Sequence, residues 1–326
     1  MIRQFRNLTP VNLFSLFIVA VILRVALLVH LPDSFDFDFD KPFLRLLIPI
    51  PSEPFLSPIV NVSISLVITL IQAILINKIV NQHNLLGKPS FLPALMYVTT
   101  SSIFMPFLVL SPAMLCNFLI IWMIEKFQSI YRRNDASSVM FDMGMIVGVG
   151  TLIYFPFIAM FILLYISLLI YRPFNWREWV IGLVGFASIY FFVAIYYYWN
   201  DSFDNFYQIW LPLATPFPSK LGIRFYDYIV LFPLLVILIL SAYSLRKNFF
   251  KSYVQVRKSF QLLFFLFVLA MVSFYLKPHV RVYHFLLGVP SASVFMAYYF
   301  LHAKKKWVYE SLYLLLLGFI IYFQVT

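Results

Sequence analysis

The sequence predicts an all-α, polytopic integral membrane protein with about eleven spanning helices and its N-terminus in the cytoplasm. Three observations predict it. The first is composition: 63% of the 326 residues are hydrophobic and 11% are charged. A soluble domain holds about half apolar and roughly a quarter charged residues. No soluble core hides this much Phe, Leu and Ile, so the excess faces lipid. The second is the unbroken apolar run, as at residues 228–243 and 262–276. Backbone groups in lipid must be satisfied within helices or a closed barrel, and barrel strands would alternate apolar and polar residues. The third is the charge pattern. Basic residues collect on one side at each alternation, as cytoplasmic loops do.

Taken in order, the first helix is expected at 13–29, followed by an acidic, aromatic first outer loop at 31–57. Helix two is expected at 58–79, with a polar turn at 81–89. Helices three and four, at 91–107 and 110–124, are short and broken by Pro106 and Pro112. A basic stretch, 125–134, precedes two more short helices at 139–154 and 156–170. The segment YRPFNWREW, 171–179, reads as an interfacial elbow. Helix seven follows at 180–198, then a second outer loop at 199–225. Helices eight to eleven are expected at 228–245, 260–276, 285–302 and 308–323, with an outer cationic segment at 277–284. The chain forms a single transmembrane domain, 1–326, with no fixed-period repeat.

Orientation follows from the loops. With the N-terminus inside, seventeen of the 24 Lys and Arg residues fall inside, including Arg3, Arg6, Arg132, Arg133 and Lys304 to Lys306. Six fall outside, and Arg24 lies within helix one. Eight of the 13 acidic residues fall outside, among them Asp33, Asp36, Asp38, Asp40 and Glu53. This places the C-terminus outside. The net charge of +11 then reflects topology rather than nucleic-acid binding. Cys116 is the single cysteine, so no intrachain disulfide framework or thiol metal site is expected. The first apolar run is too long for a signal h-region and reads as a retained helix in a bacterial inner membrane.

Three outer features carry candidate chemistry. In residues 32–41, PDSFDFDFDK, the three aspartates Asp36, Asp38 and Asp40 alternate with Phe. In extended chain their carboxylates share a face. They then suit a general base or a hard cation, magnesium or manganese first, calcium as a further fit. The bland reading is a solvated acidic loop. Arg24 sits several residues inside a spanning helix, where a charge faces a cavity or a partner, or snorkels to the interface. The stretch 277–285, KPHVRVYHF, gathers Lys277, His279, Arg281 and His284 before a helix N-terminus, a fit for phosphate or, more plainly, an interfacial anchor. Asn117 is expected to bond a neighbouring helix.

An arginine in helix one followed by an acidic outer loop resembles the opening of the GT-C superfamily of membrane glycosyltransferases. Residues 281–300, RVYHFLLGVPSASVFMAYYF, are similar to the late Arg-Tyr, apolar, Pro helix of its lipid-linked members, such as protein mannosyltransferases and the lipid A aminoarabinose transferase. The short helix pairs also resemble that core. The resemblance implies transfer of a sugar from a polyprenyl-phosphate donor to a lipid, glycan or protein acceptor at the outer membrane face. It implies Asp36, Asp38 and Asp40 as catalytic or metal-holding groups, Lys277, His279 and Arg281 as phosphate ligands, and Arg24 as support. The chain departs from the pattern in having DFDFD without Asp-Glu and a short first loop. The chain also resembles a family of Bacteroidota polytopic membrane proteins without an established activity, most closely at LSPAMLCNF (110–118) and YRPFNWREW (171–179). The alternative expectation is a non-enzymatic membrane subunit of a larger envelope complex with membrane-protein partners. A transporter is the weaker alternative, since no inverted repeat is visible.

Overall fold

The structure is a computed structural model and describes residues 1–29, 31, 57–131, 135–210, 229, 231–248, 250, 252–276 and 281–325. All regular structure among these residues is helical, and the α-helical, multi-pass membrane class predicted from composition holds. The helices are α1 (Ile2–Phe5), α2 (Val11–Val29), α3 (Pro58–Gln82), α4 (Leu92–Thr100), α5 (Pro112–Ile130), α6 (Ser137–Ile153) and α7 (Met160–Tyr171). After these come α8 (Trp176–Trp199), α9 (Phe203–Gln208), α10 (Leu231–Asn248), α11 (Val254–Val272), α12 (Val289–His302) and α13 (Lys306–Val325). Four 3-10 segments interrupt them: η1 (Met105–Phe107), η2 (Phe155–Ala159), η3 (Ser273–Leu276) and η4 (Val282–Gly288). Among the described residues, eight helices are long and apolar enough to cross a membrane, and the two at 137–153 and 155–171 are shorter.

The expected third helix has a specific local form. α4 is nine residues long and stops at Thr100. Thr99 and Thr100 donate their hydroxyls to the Leu95 and Met96 carbonyls, and Ser101 and Ser102 both donate to Val98 O. Four consecutive hydroxyls competing for helix carbonyls weaken the ladder. Pro106 then falls in η1, and the chain re-enters a helix only at α5. There Ser111 is the N-cap, its Oγ accepting from Met114 N at 3.3 Å, with Pro112 at the first position.

Helices α6 and α8 make the most intimate pair. A Cβ on Gly144 would collide with the Gly182 carbonyl, and one on Gly185 with the Phe141 carbonyl. Small residues let the two backbones touch, which is how helices associate where lipid offers no hydrophobic drive. The elbow before α8 has a defined local structure. Asn175 Oδ1 accepts from Arg177 N, Trp179 stacks on Tyr165, and Phe174 and Trp176 stay exposed.

One end of the bundle is held by charge. The Met1 ammonium and the Ile2 and Arg3 amides donate to the Glu310 carboxylate, fastening α1 onto α13. Arg6 donates to the Phe300 and Ala303 carbonyls at the end of α12 and stacks over Tyr309. Lys126 pairs with Asp142 at 2.7 Å, and Arg172 with buried Glu178 at 3.2 Å. In the loop before α6, hydrogen bonds from Ser137 hold the exposed Asp135 carboxyl below the usual carboxylate range.

Candidate functional site

The opposite end is built differently. α2 finishes there at Val29 and α3 begins there at Pro58. Leu27 of α2, Val62 of α3 and Leu108 pack in one apolar cluster with Met105, which fixes η1 at this end. Element contacts join η1 to η4 and η2 to η3, so the four 3-10 segments form one layer across the bundle. Backbone that is not α-helical is tolerated at membrane depth where protein buries it or where it lines a cavity.

A buried polar stripe runs beneath that layer. On α3, Asn61, Ser65, Thr69 and Gln72 recur at i, i+4, i+8 and i+11, the spacing of a single helix face. All four are buried. Asn61 Oδ1 accepts from Leu110 N at 2.9 Å, just beyond η1. Thr69 Oγ1 donates to Ser65 O and accepts from Arg24 Nη2 at 2.9 Å. Gln72 Nε2 donates to Met114 O, while Gln72 Oε1 accepts from the Tyr97 hydroxyl at 2.8 Å. Asn117 Nδ2 donates to the Tyr97 hydroxyl oxygen and, at 3.0 Å, to Leu286 O of η4. Five elements are thereby tied, four of them through neutral hydrogen bonds of about 1 kcal/mol net each and α2 through the Arg24 guanidinium.

Arg24 is the charged member of this network. It is 1% exposed, and it does not snorkel outward. Its Nη1 donates to Ala20 O one turn back along its own helix, so the guanidinium turns into the bundle. Five residues separate it from Val29, a depth of about 8 Å at 1.5 Å per residue. No ion pair to Arg24 exists among the described residues, and its Nε has no hydrogen-bond partner there.

A second buried constellation pins the 3-10 layer. His284, at 1% exposure, meets the Tyr154 hydroxyl through Nδ1 at 2.9 Å. Its Nε2 lies 3.0 Å from Ala270 O and 3.2 Å from Ser273 Oγ. A carbonyl only accepts, so Nε2 carries a proton. The sequence grouped His284 with the outer cations; the structure buries it, joining the start of η2 with η3 and η4 from within.

Of the remaining sequence-predicted site residues, Arg281 is exposed, with extended backbone at φ −107° and ψ 145°, immediately before η4. Asp36, Asp38, Asp40, Lys277 and His279 lie outside the described residues. Among the described residues, no three His, Cys, Asp or Glu side chains gather as metal ligands. Asn117 bonds neighbouring elements, as its sequence context suggested. The α3 stripe went unread in the sequence, although its spacing was visible there.

The long apolar helices, the glycine-knit pair and the internally satisfied polar groups define an α-helical, multi-pass membrane protein. More particularly, the chain belongs to DUF6427, described as a family of unknown function, whose profile matches residues 46–326. The matched part holds the α3 stripe, Asn117, Arg281 and His284, and begins after Arg24 and the three aspartates. No curated protein and no solved structure matches the chain.

Proposed function

We propose that the chain is a GT-C-like glycosyltransferase that moves a sugar from a polyprenyl-phosphate donor to a lipid, glycan or protein acceptor at the outer face of a bacterial inner membrane. The observation that carries the reading is the 3-10 layer with its buried polar bonds. It lies at the end of the bundle where α2 leads into the acidic segment and where Arg281 precedes η4. Broken helices of this kind accompany substrate sites in membrane proteins. In this reading there are eleven spans, with the short α4, α6 and α7 completing the eight long ones, and the ion-paired end faces the cytoplasm.

The residues divide the work as follows. Asp36, Asp38 or Asp40 takes the proton from the acceptor hydroxyl as that oxygen bonds to the sugar's anomeric carbon. The bond from that carbon to the donor phosphate breaks, and the phosphate leaves with the electron pair. Lys277, His279 and Arg281 hold the leaving phosphate by charge-assisted bonds. A magnesium or manganese ion held by the same aspartates would supply further charge to that phosphate.

The test is sugar transfer in proteoliposomes, with radiolabelled polyprenyl-phosphate sugar and a membrane-extract acceptor. Transfer that drops at least a hundredfold in the Asp36→Asn, Asp38→Asn, Asp40→Asn triple variant supports the reading. Absence of transfer by the wild-type chain with every donor tried sinks it.

A rival reading, a non-enzymatic subunit of an envelope complex, draws on one observation. α10 buries Pro233, Ile237 and Ser241 and leaves large side chains such as Phe232, Leu235, Ile239 and Tyr243 exposed. That face meets lipid or a partner helix. Co-purification of a stoichiometric membrane protein in mild detergent would favour this rival.

A further inference from the structure

We propose that Arg24, Ser65 and Asn61 form an intramembrane seat for a phosphate oxygen. Three buried polar atoms here have no hydrogen-bond partner among the described residues: Arg24 Nε, Ser65 Oγ and Asn61 Nδ2. Their positions are correlated. Ser65 lies one turn from Thr69, which holds Arg24, and Asn61 lies one turn further, on the same face. Along α3, Ser65 falls between Thr69, which bonds Arg24 of α2, and Val62, which shares an apolar cluster with Leu27 of α2 and Leu108.

The chemistry of the free atoms selects the ligand. Arg24 Nε–H and the Asn61 amide N–H groups can only donate, and the Ser65 hydroxyl can donate as well. The orientation of Asn61 is not arbitrary, because its Oδ1 is taken by the Leu110 amide. Unpartnered polar atoms occur elsewhere, such as Asn77 Oδ1 and Gln128 Nε2. Asn117 Oδ1, an acceptor in the same network, is unpartnered as well, whereas on the facing sides of α2 and α3 all three unpartnered atoms can donate and one belongs to the Arg24 guanidinium. A cation is excluded by that charge. Water would satisfy the donors and leave the guanidinium uncompensated at a depth where a charge is costly. An anion with several acceptor oxygens answers both needs, and arginine is the side chain suited to phosphate.

The donors of this seat come from α2 and α3, not from residues 277–281. The inference deepens the transferase reading and rests on it for the choice of a polyprenyl phosphate as probe. The shared chemistry is the phosphate, from a lipid headgroup or free in solution. The experiment is thermal unfolding of the full chain in mild detergent with undecaprenyl phosphate, undecaprenol or inorganic phosphate. A rise of several degrees with undecaprenyl phosphate and none with undecaprenol or inorganic phosphate supports a lipid source. An equal rise with millimolar inorganic phosphate supports the seat with a soluble source. In either case Arg24→Gln and, separately, Asn61→Leu should weaken binding about tenfold or more. Should Arg24→Gln fail to fold, Ser65→Ala and Asn61→Leu carry the comparison. No rise with either phosphate, or a rise unchanged in the variants, overturns the proposal. The sugar-transfer assay separates the two readings. Phosphate binding without transfer leaves the seat and sinks the transferase, and transfer without this binding does the reverse.

Discussion

The two ends of the bundle treat charge in opposite ways. At the N-terminal end, Arg172 faces Glu178, Lys126 faces Asp142, and the Met1 ammonium faces Glu310. At the other end Arg24 is as deeply buried as Glu178, yet no carboxylate among the described residues answers it. The helices of both ends come from the same apolar runs, so hydropathy does not distinguish them. The difference teaches where the chain spends polar groups on holding itself together and where it keeps them for something else. A buried pair is costly to break because the surviving partner stays charged and unsolvated. A buried charge without a partner is costly as it stands, and such residues in membranes mark functional positions.

The largest expected effect breaks the paired end. Arg172→Met strands Glu178, which is 1% exposed, and should cost about 3–5 kcal/mol. The double change with Glu178→Leu should recover most of that loss. Both are read by reversible unfolding in mixed micelles, and an undamaged Arg172→Met protein would remove the contrast drawn here.

Next comes the glycine seam, which belongs to neither end. Gly144→Val forces a side chain against the Gly182 carbonyl and should cost about 3 kcal/mol through overpacking. Crosslinking between cysteines placed on α6 and α8 would show whether the helices have separated.

A smaller effect is expected in the neutral network. Gln72→Leu leaves Met114 O without its donor and Tyr97 without its acceptor, a loss of about 1–3 kcal/mol by the same unfolding measurement. The smallest sharpens the comparison most. Arg24→Met removes an uncompensated charge while keeping the apolar stem, so the ligand-free protein should change by less than about 1 kcal/mol or gain stability. A loss as large as that of Arg172→Met would mean that Arg24 is paired in the folded protein and that the two ends do not differ.

Much of the fold was legible in the residues. Segments 58–79 and 260–276 announce themselves because lipid demands long apolar runs with all backbone groups satisfied inside the segment, and the structure lengthens them to 58–82 and 254–276. Gly144, Gly182 and Gly185 were visible, but not that they face one another. The stripe Asn61, Ser65, Thr69, Gln72 was present at helical spacing and was masked by the apolar residues around it. Even once seen, it could not name Tyr97, Asn117 or Arg24 as partners, since those lie on three other helices.

The sequence by itself determined the class of the protein, the placing of its helices and the sidedness expected of its charges. These are properties of each segment's own exchange with lipid or water, so local composition suffices. Only the tertiary structure decided that Arg24 turns inward rather than to the interface, that His284 pins three 3-10 segments from inside, and that, among the described residues, one end is ion-paired while the other keeps unpartnered donors. Each of these depends on which residue of a distant segment stands opposite. Sequence spacing along one helix specifies a face, and only packing specifies what that face meets.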